Sequence, residues 1–150
     1  MKIAVGADHA GFEMKERVKQ ILEARGHQVD DAGTHSTEST DYPLFAFRVA
    51  EAVRDGVAER GILVCDSGNG IAIAANKIEG IRAAIAVNRW QAEMARRHND
   101  ANILVLASAL TPSDQEAGVV EAWLDAPFDG GRHARRIAQI AEYERTHERR

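Results

Sequence analysis

Cys65 is the chain's one cysteine, and it stands directly before Asp66-Ser67-Gly68-Asn69-Gly70. Glycines accept positive φ and let a ligand approach the backbone, so this loop can turn several N–H groups inward as a cradle for a phosphate, a carboxylate or a developing enolate oxygen. A helix after the loop would add the positive end of its dipole. A thiol beside such donors can be brought near neutrality and act as base or nucleophile. Plain structural readings stand beside these. Free cysteine usually just packs, and position alone favours packing here. The glycines alone fit a turn that binds nothing equally well. They make a poor dinucleotide fingerprint, because Ile73 stands where the third small residue belongs.

Among the six histidines, His9 follows an apolar run and His98 precedes Asn99-Asp100. His35, His133 and His147 read as surface or structural residues. Arg132 and Arg136 lie four apart, so they share a helical face that could grip a phosphate through forked hydrogen bonds. With Arg135 beside them, a solvated face is the better reading of the spacing alone. Asp8, His9, Cys65 and Asp66 match no recognised metal-ligand spacing, and no metal is expected.

Short apolar runs alternating with stretches of helical period predict an α/β domain with a largely parallel sheet. Strands are expected at Ile3-Ala4-Val5, weakly at Gln28-Val29-Asp30, and then at Gly61 to Cys65, Ile81 to Val87 and Ile103 to Leu106. The first helix should present Met14, Val18, Ile21, Leu22 and Ala24 on one face and stop at Gly26. Pro43 should open a helix with the stripe Leu44, Phe47, Ala50 and Val53. A short helical run is expected from Ile71 to Asn76. Trp90, Met94 and His98 should share the next helix, and Thr111-Pro112 should cap and start the one carrying Val119, Val120, Trp123 and Leu124. A break at Ala126 to Gly131 precedes a last helix with Ile137 and Ile140, whose polar end, Glu144 to Arg150, is expected to fray. In such sheets ligands sit beyond the carboxyl ends of the strands, which points to Asp8-His9, to Cys65 through Gly70 and to the segment after strand five.

The chain's 150 residues suit a single domain spanning 1–150. Its formal net charge of −4 supplies no global pull toward nucleic acid or anionic membrane. The lone thiol and the lack of a long apolar N-terminal run lead to the expectation of a cytoplasmic protein.

Five segments in order resemble the ribose/galactose isomerase family, whose members include type B ribose-5-phosphate isomerases and isomerases of galactose 6-phosphate and allose 6-phosphate. They are Ala7-Asp8-His9-Ala10-Gly11-Phe12, Thr40-Asp41-Tyr42-Pro43, Cys65 with Ser67 to Gly70 and Ile73 to Lys77, Arg97 to Asn102, and Gly130 to His133 with Arg136. The resemblance implies a Rossmann-like three-layer αβα sandwich around a five-stranded parallel sheet, with a C-terminal helix reaching a partner subunit. It also implies interconversion of an aldose phosphate and its ketose through an enediol, without cofactor or metal. Carried over by position, Cys65 is the base, supported by Ser67, with the amides of Gly68, Asn69 and Gly70 on the enediolate oxygen. His98 helps open the furanose ring and Asp8 lies near the sugar oxygens. His9, Arg132 and Arg136 bind phosphate, while Tyr42 and Asn99 line the sugar site. The family is dimeric or tetrameric with a shared site, so His98 and Asn99 would serve a neighbour's Cys65.

Two departures bear on the substrate. Ala107-Ser108-Ala109 stands where many relatives place an arginine, and Asp66 replaces a glycine. They favour keeping other sugar phosphates, six-carbon or four-carbon, as the alternative to ribose 5-phosphate. Asp66 pointing inward would also raise the thiol's pKa. A remoter alternative is a non-enzymatic receiver-like signalling module, for which a second acid beside Asp8 and a lysine after strand five are missing.

Overall fold

In the computed structural model, which describes residues 1–147, five parallel strands run in the order β2-β1-β3-β5-β4. They are β1 (Lys2–Ala7), β2 (Gln28–Asp31), β3 (Arg60–Cys65), β4 (Ala83–Ile85) and β5 (Ile103–Ala107). The helices are α1 (Phe12–Ala24), α2 (Tyr42–Arg54), α3 (Asn69–Ala75), α4 (Arg89–Asn99), α5 (Glu116–Asp125) and α6 (Arg132–Thr146). No described helix is long and apolar enough to cross a membrane.

Because side chains alternate along a strand, the central strands bury both faces. Ile3, Val5, Ile62, Val64, Leu104 and Leu106 meet Met14, Val18 and Leu22 of α1, Ala92 of α4 and Trp123 of α5. Ala4, Leu63, Cys65, Ile103 and Val105 meet Ala46, Val49 and Ala50 of α2 and Ile71 and Ala75 of α3. This is the expected Rossmann-like αβα sandwich, and Cys65 faces the α2/α3 layer. Helix α6 lies outside it, packed against α4 with only His133 buried.

Several local readings are corrected. The buried residues of α2 are Phe45, Ala46, Val49 and Ala50, while Leu44 and Phe47 face out. Helix α5 begins at Glu116; Thr111 turns inward with its Oγ1 buried and unbonded among the described residues. The N–H of Gln115 donates to the Pro112 carbonyl at 2.9 Å, closing a separate turn there. Trp90, Met94 and His98 do share α4, with Trp90 exposed. Strand β4 is shorter than expected, and Asn76 covers its outer edge: Asn76 Oδ1 accepts from the Ala83 N–H at 2.8 Å and Nδ2 donates to the Ala83 carbonyl at 3.0 Å. Glu144 to Thr146 are helical rather than frayed, and residues 148–150 of that tail lie outside the described residues.

Candidate active site

The register aligns Val64 with Ala7 and Cys65 with Ala107, bringing three strand ends to one edge. Ser108 fastens them. Its N–H donates to the Cys65 carbonyl at 2.9 Å, and its Oγ lies 3.1 Å from the Ala10 carbonyl and 3.3 Å from that of Cys65. The preference for the segment after strand five pointed here without singling out the serine.

Cys65 is buried, and its Sγ accepts from the Gly68 N–H at 3.2 Å. Gly68 makes this turn at φ +80°, in the left-handed region. Burial pushes the thiol up; the Ile71 and Gly68 amides pull it down, and the Asp8 and Asp66 carboxylates push it up again. The net direction is upward, as expected of Asp66, although Asp66 itself is exposed. Ser67 Oγ accepts from the Asn69 N–H at 3.2 Å, so the serine supports the loop and makes no hydrogen bond to the sulfur among the described residues.

The other predicted groups of this edge gather around the loop. Asp8 Oδ1 accepts from the Ala10 and Gly11 amides at 3.0 and 3.1 Å, which sets the turn into α1. His9 Nδ1 faces both the N–H of Thr40 at 3.1 Å and its carbonyl at 3.2 Å. Either protonation state of the ring thus finds a partner, and Nε2 stays uncommitted. Tyr42 lies so close to Gly70 that an added Cβ there would fall 2.5 Å from Tyr42 Cζ.

The remaining predicted residues are elsewhere. Helix α4 starts after β4 and returns antiparallel to the strands, so its 11 residues carry His98 and Asn99 about 16 Å back toward the amino edge. There Arg82 Nε, just before β4, donates to the Asn99 carbonyl at 2.9 Å. His98 stacks on His133 with centroids 4.1 Å apart and planes 8° from parallel. Exposed Arg132 and Arg136 belong to the same first turns of α6. His133, read as a surface or structural residue, is buried under this stack, which an isolated histidine in the sequence does not signal. Among the described residues the one cluster of candidate cation ligands is His98, Asp129 and His133, not the set around Cys65. The predicted site residues therefore fall into two groups: a thiol half with Asp8, His9, Tyr42 and the glycine loop, and a histidine half with His98, Asn99, Arg132 and Arg136.

A parallel αβα sandwich with a thiol and amide-rich loop at its carboxyl edge defines a small Rossmann-like α/β protein with a candidate anion-binding site. The particular family follows from comparison: the Ribose/Galactose Isomerase profile matches residues 3–140, and the chain belongs to that family. It is 45% identical over 143 residues to ribose-5-phosphate isomerase B of Escherichia coli K12, covering 95% of this chain and 96% of that one. The solved Clostridium thermocellum ribose-5-phosphate isomerase B superposes with a TM-score of 0.96 at 49% identity, covering 97% and 99% of the two chains. The Mycoplasma genitalium enzyme, solved with bound ribulose-5-phosphate, superposes with a TM-score of 0.93 at 37% identity over 97% of each chain.

Proposed function

We propose that this single-domain chain interconverts ribose 5-phosphate and ribulose 5-phosphate through a cis-enediol, with Cys65 as the base and no cofactor. The observation that carries the mechanism is the thiol at the strand end with the Gly68 N–H on its sulfur at 3.2 Å. A carbon acid needs a base and donors aimed at the charge that develops, and both converge there.

Cys65 moves the proton between C1 and C2. The Gly68, Asn69 and Gly70 amides receive the enediolate oxygen, Gly68 and Asn69 turning to it from the Cys65 sulfur and the Ser67 Oγ. Asp8 and Tyr42 face the sugar, and His9 Nε2 faces the phosphate. The histidine half cannot reach the Cys65 of its own protomer, so a second copy supplies it. His98 of that copy opens the furanose ring, Asn99 lines the sugar site, and Arg132 and Arg136 clamp the phosphate. Helix α6, lying outside the sandwich, is the element that reaches across.

The test is a coupled assay on ribose 5-phosphate, with and without chelator, for the native protein and Cys65→Ala. Native turnover should survive chelation, and the variant should lose about 10²–10⁴-fold in rate, the range a positioned base supplies. Undiminished turnover in Cys65→Ala would sink the mechanism. Because of Ala109 and Asp66, kcat/KM is to be compared across four-, five- and six-carbon sugar phosphates, with ribose 5-phosphate expected to lead.

A further inference from the structure

The reading above leaves one charged group of the histidine half unused. Asp129 sits in the break before α6, fixed twice to α4: its N–H donates to the Arg97 carbonyl at 2.9 Å, and its Oδ1 accepts from Arg97 Nε at 3.1 Å. Its second oxygen takes no hydrogen bond among the described residues. The ligand-type atoms of Asp129, His98 and His133 all lie within 4.8 Å of one another. That spread would suit a metal ion, but rings stacked 8° from parallel hold their nitrogens in separate planes rather than converging on one point. The arrangement suits handling of a proton.

Face to face at 4.1 Å, two charged rings would repel each other. Burial, followed by His98, Arg132 and Arg136, pushes the His133 imidazole below its ordinary range, and Asp129 opposes that shift. Asp129 is the carboxylate set among them.

We propose that Asp129 is a positioning residue for sugar-ring opening, its carboxylate set beside His98, the acid that delivers a proton to the furanose ring oxygen. In the step, the His98 N–H proton passes to the ring oxygen as the bond from C1 to that oxygen breaks. The O–H electron pair of the C1 hydroxyl forms the aldehyde C=O, its proton goes to water, and His98 regains a proton from water. This inference rests on the role given to His98 above.

The test uses two substrates with the full-length protein. Ribose 5-phosphate arrives as a furanose and needs opening. Ribulose 5-phosphate cannot close to a furanose, so exchange of its C1 proton with heavy water skips that step. Asp129→Asn keeps the Arg97 contact and loses the charge. It should lower kcat/KM on ribose 5-phosphate by about tenfold or more, since a positioned acid supplies 10²–10⁴. Initial C1 exchange in ribulose 5-phosphate should stay within about twofold, and Asp129→Glu should restore most of the ribose activity. Equal losses on both substrates, or none on ribose 5-phosphate, would overturn the proposal by leaving Asp129 a structural tie. If native protein exchanges no C1 proton, or Cys65→Ala exchanges as fast as native, the isomerase mechanism itself fails and takes this inference with it.

Discussion

The two proposed half-sites are built in opposite ways. The thiol half hangs from the ends of β1, β3 and β5, where Cys65 is buried and main-chain hydrogen bonds set nearly every position. The histidine half sits on the end of α4 and on α6, which buries only His133 and presents Arg132 and Arg136 to solvent. Preorganised donors belong on the rigid element, because they must meet charge without rearranging. Groups that grip a phosphate tolerate a less anchored element, provided a second subunit holds it in place. Breaking that division is the strongest test available.

Cys65→Ala and His98→Ala homo-oligomers should each be nearly inactive on ribose 5-phosphate. If the halves come from different chains, denaturing and refolding the two together yields hybrids with one doubly damaged and one intact site. Statistical mixing of dimers would then restore about a quarter of native activity. A mixture no better than its components would place both halves of a site in one chain, against the topology of α4.

Sequence reading found the thiol half more completely than the histidine half, for a physical reason. Apolar runs and glycine turns are local signals, so β3, the loop and Cys65 could be placed by inspection. Long-range partners are not local. Lys15 carries a charge, yet it is fully buried, paired with Asp31 of β2 at 2.7 Å. His133 and Asp129 come together with His98 only in the folded chain, which no spacing reveals. The start of α5 was misplaced because Thr-Pro-Ser-Asp is a helix-start signal, and burial of Thr111 overrode it.

Within the thiol half, the contact between loop and sugar-facing ring can be broken with one methyl group. Gly70→Ala places Cβ 2.5 Å from Tyr42 Cζ, and exposed Tyr42 is free to swing away. Stability should fall by no more than about 1–3 kcal/mol in thermal unfolding, while kcat/KM drops about tenfold. Gly70→Ala with Tyr42→Ala should recover the stability but not the activity. Recovered activity would show that Tyr42 only obstructs in the single variant.

The smallest effect concerns the charge beside the base. Burial holds the Cys65 thiol above its ordinary range, with Asp8 and Asp66 adding to the shift. A base must be deprotonated to act, so alkylation of Cys65 should rise with pH to a midpoint above that of a free thiol, about 8.5. Asp66→Asn removes one carboxylate that favours the protonated thiol, so the midpoint should move down. Asp66 is exposed and water screens it, which limits the change to less than about one pH unit. At a pH below both midpoints the variant should alkylate faster, by up to several-fold. The same substitution leaves the histidine half untouched, so KM for ribose 5-phosphate should shift little compared with the alkylation rate. An upward midpoint would mean that Asp66 helps to hold the thiolate, through water or a cation, and would reverse its assigned influence on the base.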